Sequence, residues 1–208
     1  MKNAPLLNLF AAASLAGSVL LLASPARAAD DPPTTTRTGT YTTSKGGSGT
    51  ASSVTTRSSG SVERKGTWTN AAGGTGTVQS QRTVNRANHT ATFSGSATRP
   101  NGATTSWQGT AVRTAPGVIT SKGTITTANG KQDIFTATDT RVAPRSWQKQ
   151  QVITTPDGQT IDRSVDTTVG AGKGTRTVTT TLPDGQTVTR DEAFTQTVST
   201  APAATPSN

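Results

Sequence analysis

His89 is the only histidine in the chain, so a Ser-His-Asp relay or a multi-histidine metal site would have to be built around it. It follows Ala87-Asn88 at a break in the pattern, where a polar side chain needs no catalytic explanation. Asn88-His89-Thr90 also matches a glycosylation sequon. From residue 133 onward the acids away from turns are Asp133, Asp139, Asp162, Asp166, Asp191 and Glu192. Asp162 and Asp166 lie about 13 Å apart by strand rise, too far for an acid–base pair within one strand. Asp157 and Asp184 belong to turn sequences, and no Asp-x-Asp-x-Asp-Gly calcium loop occurs. The run Gly170-Ala171-Gly172-Lys173-Gly174-Thr175 lacks phosphate-loop spacing. These residues point away from an enzyme, and no cofactor or metal is expected.

The cations make a clearer pattern. No acid lies between Glu63 and Asp133, while Arg64, Lys65, Arg82, Arg86, Arg99, Arg113, Lys122 and Lys131 all do. A block of one sign attracts anionic polymers or surfaces; cations also guard strand edges against mispairing. Trp68, Trp107 and Trp147 offer flat faces for stacking beside these charges, though no base-specific nucleic-acid readout is expected. Threonine makes up about a quarter of the chain after residue 28, and it recurs as Thr-x-Thr, for example at Thr40-Tyr41-Thr42, Thr90-Ala91-Thr92 and Thr177-Val178-Thr179. On a strand such pairs point the same way, and Thr is a soluble strand former.

The elements that would position these residues are set by a period. Glycines return every 27 or 28 residues, at Gly46, Gly74, Gly102, Gly130, Gly158 and Gly185. Breakers lie midway, at Ser59-Gly60, Ala87-Asn88, Pro116-Gly117, Ala143-Pro144 and Gly170-Ala171-Gly172. A fixed period marks a repeated supersecondary unit, here a β-hairpin. Pro100-Asn101-Gly102, Pro156-Asp157-Gly158 and Pro183-Asp184-Gly185 read as three-residue hairpin loops ending on a left-handed glycine.

Those loops predict a register. Centring on Asn101 sets Phe93 opposite Gly109 and Trp107 opposite Gly95. Centring on Asn129 sets Gly123 opposite Phe135. Centring on Asp184 sets Gly174 opposite Phe194 and Arg176 opposite Glu192. An aromatic ring laid over a strand glycine recovers buried area that the glycine cannot supply. Strands are expected at about 34–43, 49–57, 61–70, 75–86, 89–99, 103–113, 118–127, 132–141, 146–154, 159–169, 174–182 and 186–198.

The fold class is therefore all-β: an antiparallel β-hairpin-repeat meander of about twelve strands with a 28-residue period. It is expected to be curled or barrel-like, with an open single-layer sheet as the alternative. Residues 1–28 read as a signal peptide, with an apolar run from Leu6 to Ala23 followed by Ala26-Arg27-Ala28. Residues 29–198 form the repeat domain, and 199–208 a loose tail. Setting aside Lys2 and Arg27, 18 cations stand against 11 acids, a net charge of +7.

The expectation is a secreted or periplasmic, non-enzymatic protein of a bacterial cell envelope, structural or adhesive. Its basic block would meet an anionic polysaccharide or surface, and sheet edges would offer a route to oligomers. No transmembrane segment is expected after signal cleavage. One alternative is a small-ligand-binding barrel with a pocket lined by Trp68, Phe93 and Trp107. The other is an outer-membrane barrel, which needs an outward apolar band with aromatic girdles.

Overall fold

The computed structural model describes residues 33–199. The expected signal peptide lies outside them, as does the expected tail apart from Ser199, which ends the last strand. The strands are β1 (Thr34–Thr43), β2 (Ser48–Ser58), β3 (Ser61–Asn70), β4 (Thr75–Asn85), β5 (Thr90–Thr98) and β6 (Thr104–Ala115). They continue as β7 (Val118–Thr126), β8 (Gln132–Ala143), β9 (Ser146–Thr154), β10 (Thr160–Val169), β11 (Lys173–Thr181) and β12 (Thr187–Ser199). Each pairs antiparallel with the next, and β1 pairs with β12, so the meander closes into a barrel. Of the two expected forms, the barrel is the one formed. There is no helix among the described residues.

Closure is made by ten residue pairs, from Thr34 opposite Ser199 to Thr43 opposite Arg190. Arg37 Nε donates to Gln196 Oε1 at 2.9 Å across this seam, and the hydroxyls of Thr38 and Thr195 meet at 3.0 Å. Joining the ends removes both free edges, which in an open meander would template pairing with other chains.

Six loops at one rim share one hydrogen-bond pattern. Arg99 N donates to Ala103 O and Gly102 N to Arg99 O, each at 2.9 Å. The same two bonds close the loops at Thr43–Gly47, Asn70–Gly74, Thr127–Lys131, Thr155–Gln159 and Leu182–Gln186. The left-handed glycine of the second loop is Gly73 (φ 81°), not Gly74. The loop starts one residue early there, because Asn70 Oδ1 accepts from both Ala72 N and Gly74 N. At the other rim, Gly60, Gly117 and Gly172 take positive φ as expected, but His89 (φ 52°) and Arg145 (φ 63°) take it in the remaining two turns. His89 is therefore a turn residue itself, and its carbonyl accepts from Arg113 N at 3.0 Å.

All five predicted register pairs are present: Phe93–Gly109, Trp107–Gly95, Gly123–Phe135, Gly174–Phe194 and Arg176–Glu192. In three of them the ring occupies the space a side chain on the glycine would need, with Trp107 over Gly95, Phe93 over Gly109 and Phe194 over Gly174. Trp68 covers Gly76 and Tyr41 covers Gly49 in the same way. Gly123 differs. The space above it is taken by the Gln108 carbonyl and the Gly109 backbone, so this glycine permits a close approach of strands rather than seating a ring.

These pairs fix which face is which. Following the register around the barrel, every described aromatic, Tyr41, Trp68, Phe93, Trp107, Phe135, Trp147 and Phe194, falls on the inward face. Two packed clusters form there. Trp68, Val78 and Ala97 make one with Ala51 and Trp107 against them, and Phe135, Ile153 and Ile161 make the other with Phe93 and Ile125. The threonines of the Thr-x-Thr triplets point the opposite way, to the exterior, where Thr34, Thr36, Thr38, Thr40 and Thr42 cover all of β1.

The glycine contacts order the stability of three variants. Gly123→Ala drives a methyl into backbone that cannot swing aside and is expected to cost about 3 kcal/mol. Gly102→Ala, with open space but φ of 81°, is expected to cost about 1–2 kcal/mol. Gly95→Ala displaces the Trp107 ring and falls between them, in urea midpoints at constant m-value.

Candidate functional site: the cationic lumen

Twelve strands enclose more space than side chains can fill as tightly as in an eight-stranded barrel. The lumen here holds a cavity of about 200 Å³ and a smaller one of about 50 Å³. Arg64, Asp139, Lys149 and Arg176 stand in the walls of both. A charged cluster therefore separates the two spaces and faces each.

The lumen is divided by strand. β9 through β12 and β1 through β4 each contribute one inward cation below their ends: Lys149, Arg163, Arg176, Arg190, Arg37, Arg57, Arg64 and Arg82. β5 through β8 contribute Phe93, Trp107, Ile125 and Phe135 to the large cavity instead. The rings of Phe93 and Phe135 lie 6.1 Å apart at a tilt of 39°, a tilted aromatic contact. The eight inward cations thus come from one arc of strands, and the opposite arc, β5 to β8, carries the Phe93, Trp107 and Phe135 rings together with the acids Asp133 and Asp139.

The cations outnumber their partners. Glu192 Oε2 lies 3.8 Å from Arg176 Nη1, and Glu192 Oε1 lies 2.9 Å from Arg190 Nε without an N–H aligned on it. Asp139 Oδ2 lies 3.8 Å from Lys149 Nζ. Arg57 donates to Thr35 Oγ1 at 2.8 Å and Arg64 to Ser53 Oγ at 3.1 Å. Arg37 lies over the Phe194 ring at 4.8 Å and Arg190 over the Tyr41 ring at 3.9 Å, so both gain cation–π contact. The Nε groups of Arg57, Arg64, Arg82 and Arg176 reach no acceptor among the described residues.

Crowding of like charge shows in the acidities. Burial, then the field of Arg176, pulls the Arg64 guanidinium down to about 9 and that of Arg37 to about 10. Arg163 falls to about 9 for the same two reasons. Burial also lowers Lys149 and Arg82, with Asp139 pulling each back. The lowered values of Arg64, Arg37 and Arg163 still leave these three guanidinium groups charged at neutral pH.

The eight cations singled out from the sequence do not gather on one surface. Arg64 and Arg82 line the cavity. Lys65 and Lys122 are on the outer face, where Lys65 pairs with Glu63 at 2.9 Å. Arg86 lies in the turn before β5, and Arg113 occupies an exposed inward-parity position near the end of β6 at the same rim. Arg99 and Lys131 flank loops at the opposite rim. Arg37, Arg57, Lys149, Arg163, Arg176 and Arg190 were missed, because they lie outside the acid-free block and only closure brings them together. Of the three residues expected to line a pocket, Phe93 and Trp107 line the cavity, while Trp68 is packed in the core beside it.

No family model matches the chain, and no curated protein matches it. Among solved structures it is similar to a mutant of the Rh. blastica porin, at 10% identity and a TM-score of 0.44. The match covers 72% of this chain and 55% of that one, so the chain spans about half the porin's length.

Two outcomes follow from the charge balance. Glu192→Gln leaves Arg176 and Arg190 facing each other without their acid and is expected to cost about 3–5 kcal/mol in urea unfolding. The second concerns pH. Arg64, Arg163 and Lys149 hold lowered values in the folded state, so above about pH 9 the unfolded chain binds more protons than the folded one. Stability therefore rises with pH there, and the urea midpoint at pH 10 should exceed that at pH 8.

Proposed function

We propose that the protein is a secreted carrier, periplasmic or external, that holds a small ligand in the lumen of its barrel. The observation that carries this reading is the inverted distribution of side chains. The described aromatics and eight cations have inward parity, and most of them line the luminal cavities, while threonine, serine and glutamine dominate the exterior. Binding cavities combine apolar walls with a few polar groups that fix orientation, and this lumen has both. The secreted location rests on the apolar run and small-residue site at the start of the chain. An outward face of hydroxyls suits water, since a lipid-facing barrel carries an apolar band with aromatic girdles. The exposed apolar residues Val54, Val112, Ile134, Val142 and Val152 are too few to form one around twelve strands. An adhesive role would instead use the outer cations Lys65 and Lys122 and the rim cations Arg99 and Lys131.

The test is titration with a neutral fluorescent probe, N-phenyl-1-naphthylamine. Saturable one-to-one binding is expected, lost in Ser121→Phe, which fills the cavity, and kept in Thr120→Phe, which places the ring outside. Equal loss in both variants, or no saturation, would contradict a luminal site. Solubility of the expressed protein without detergent is expected alongside; retention in the membrane until detergent is added would favour the outer-membrane barrel.

A further inference from the structure

We infer that the ligand is an amphipathic small molecule with one anionic headgroup, carboxylate, sulfonate or phosphate, seated between Arg64 and Arg176, with its apolar body against Phe93, Trp107 and Phe135. This rests on the luminal site proposed above and adds the chemistry of its occupant.

Three observations carry it. The first is the origin of the cavity wall, since Arg64, Arg82, Lys149, Arg163 and Arg176 enter it from one arc of strands and the Phe93, Trp107 and Phe135 rings from the other, an arrangement that offers an amphipathic molecule both a charged and an apolar contact. The second is the surplus of charge. Eight inward cations stand against three inward acids, Asp133, Asp139 and Glu192, and burying a cation without a counter-charge is costly. An anion at that point neutralises like charges that the fold itself leaves opposed. The third is donor geometry. Arg64 and Arg176 stand in the walls of both cavities, and their Nε groups reach no acceptor among the described residues. Guanidinium groups bind planar oxyanions through paired N–H donors. The rim adds to this, because Arg113 and Arg141 hold inward-parity positions near the strand ends, and cations at a mouth draw anions toward it.

The cluster also has the character of a functional site held against stability. An apolar side chain of similar length in place of an under-partnered buried charge is commonly neutral or stabilising. Arg64→Met is therefore expected to fold with an unchanged or higher melting temperature when no ligand is present, and to bind anions less well.

The experiment is calorimetric titration of wild type and Arg64→Met with two isosteric probes, 1-naphthoate and naphthalene-1-carboxamide. Decanoate and decanamide form a second pair that separates aromatic from aliphatic bodies. Wild type is expected to prefer each carboxylate over its amide by about 10- to 100-fold, the range of a charged hydrogen bond. Arg64→Met should lose most of that preference while its amide affinity stays within about twofold. Equal affinity of wild type for carboxylate and amide would overturn the anionic headgroup and leave the luminal site standing. Failure of all four probes to bind would overturn both. A lower ligand-free melting temperature in Arg64→Met, with the carboxylate preference intact, would make the arginine a structural residue and contradict the assignment.

Discussion

Closing a twelve-stranded sheet creates a volume that has to be filled from one face only, and this chain has few large side chains with which to fill it. Every described aromatic is placed on that face. Each of five rings lies over a glycine, so a large residue and a small one share a site and the strands can bend. Long arginines supply the remaining bulk. Arginine stems cover apolar surface, and Arg64 and Arg176 stand in the walls of both cavities. The cavity, the charge surplus and the outward threonines all follow from this allocation.

Much of this is legible in the sequence. The Pro-Asn-Gly and Pro-Asp-Gly loops fix the centres of three hairpins, and from those centres the pairs Phe93–Gly109, Trp107–Gly95 and Arg176–Glu192 follow by counting. Where the loop glycine is doubled, as at Gly73-Gly74, counting alone does not show which one takes the left-handed turn. The hydrogen bonds to Asn70 decide it. Likewise His89 and Arg145 adopt a conformation usual for glycine, and nothing in their residue type announces it.

The site was harder to read than the fold, for a physical reason. A run of like charges along the chain says little about a barrel, because alternate residues face opposite sides and distant strands become neighbours. Arg64 and Lys65 are adjacent in sequence and lie on opposite faces. Arg64 and Arg176 are 112 positions apart by number, yet the field of one depresses the other. A signal was present all the same. Gly174 and Phe194 mark the inward parity of β11 and β12, and Arg176, Arg190 and Glu192 share it. Carrying the parity of the aromatic–glycine pairs around all twelve strands assembles the cationic cluster.

The central claim is that the barrel turns its rings and cations inward and a water-compatible surface outward, so that it can hold an anion. Native mass spectrometry of the protein, isolated from its host without detergent, tests this most directly. The account predicts a protein that stays in solution and carries one small anionic molecule per chain, released on unfolding. A protein that stays dispersed only in detergent, with lipid bound around it and nothing held inside, would contradict it.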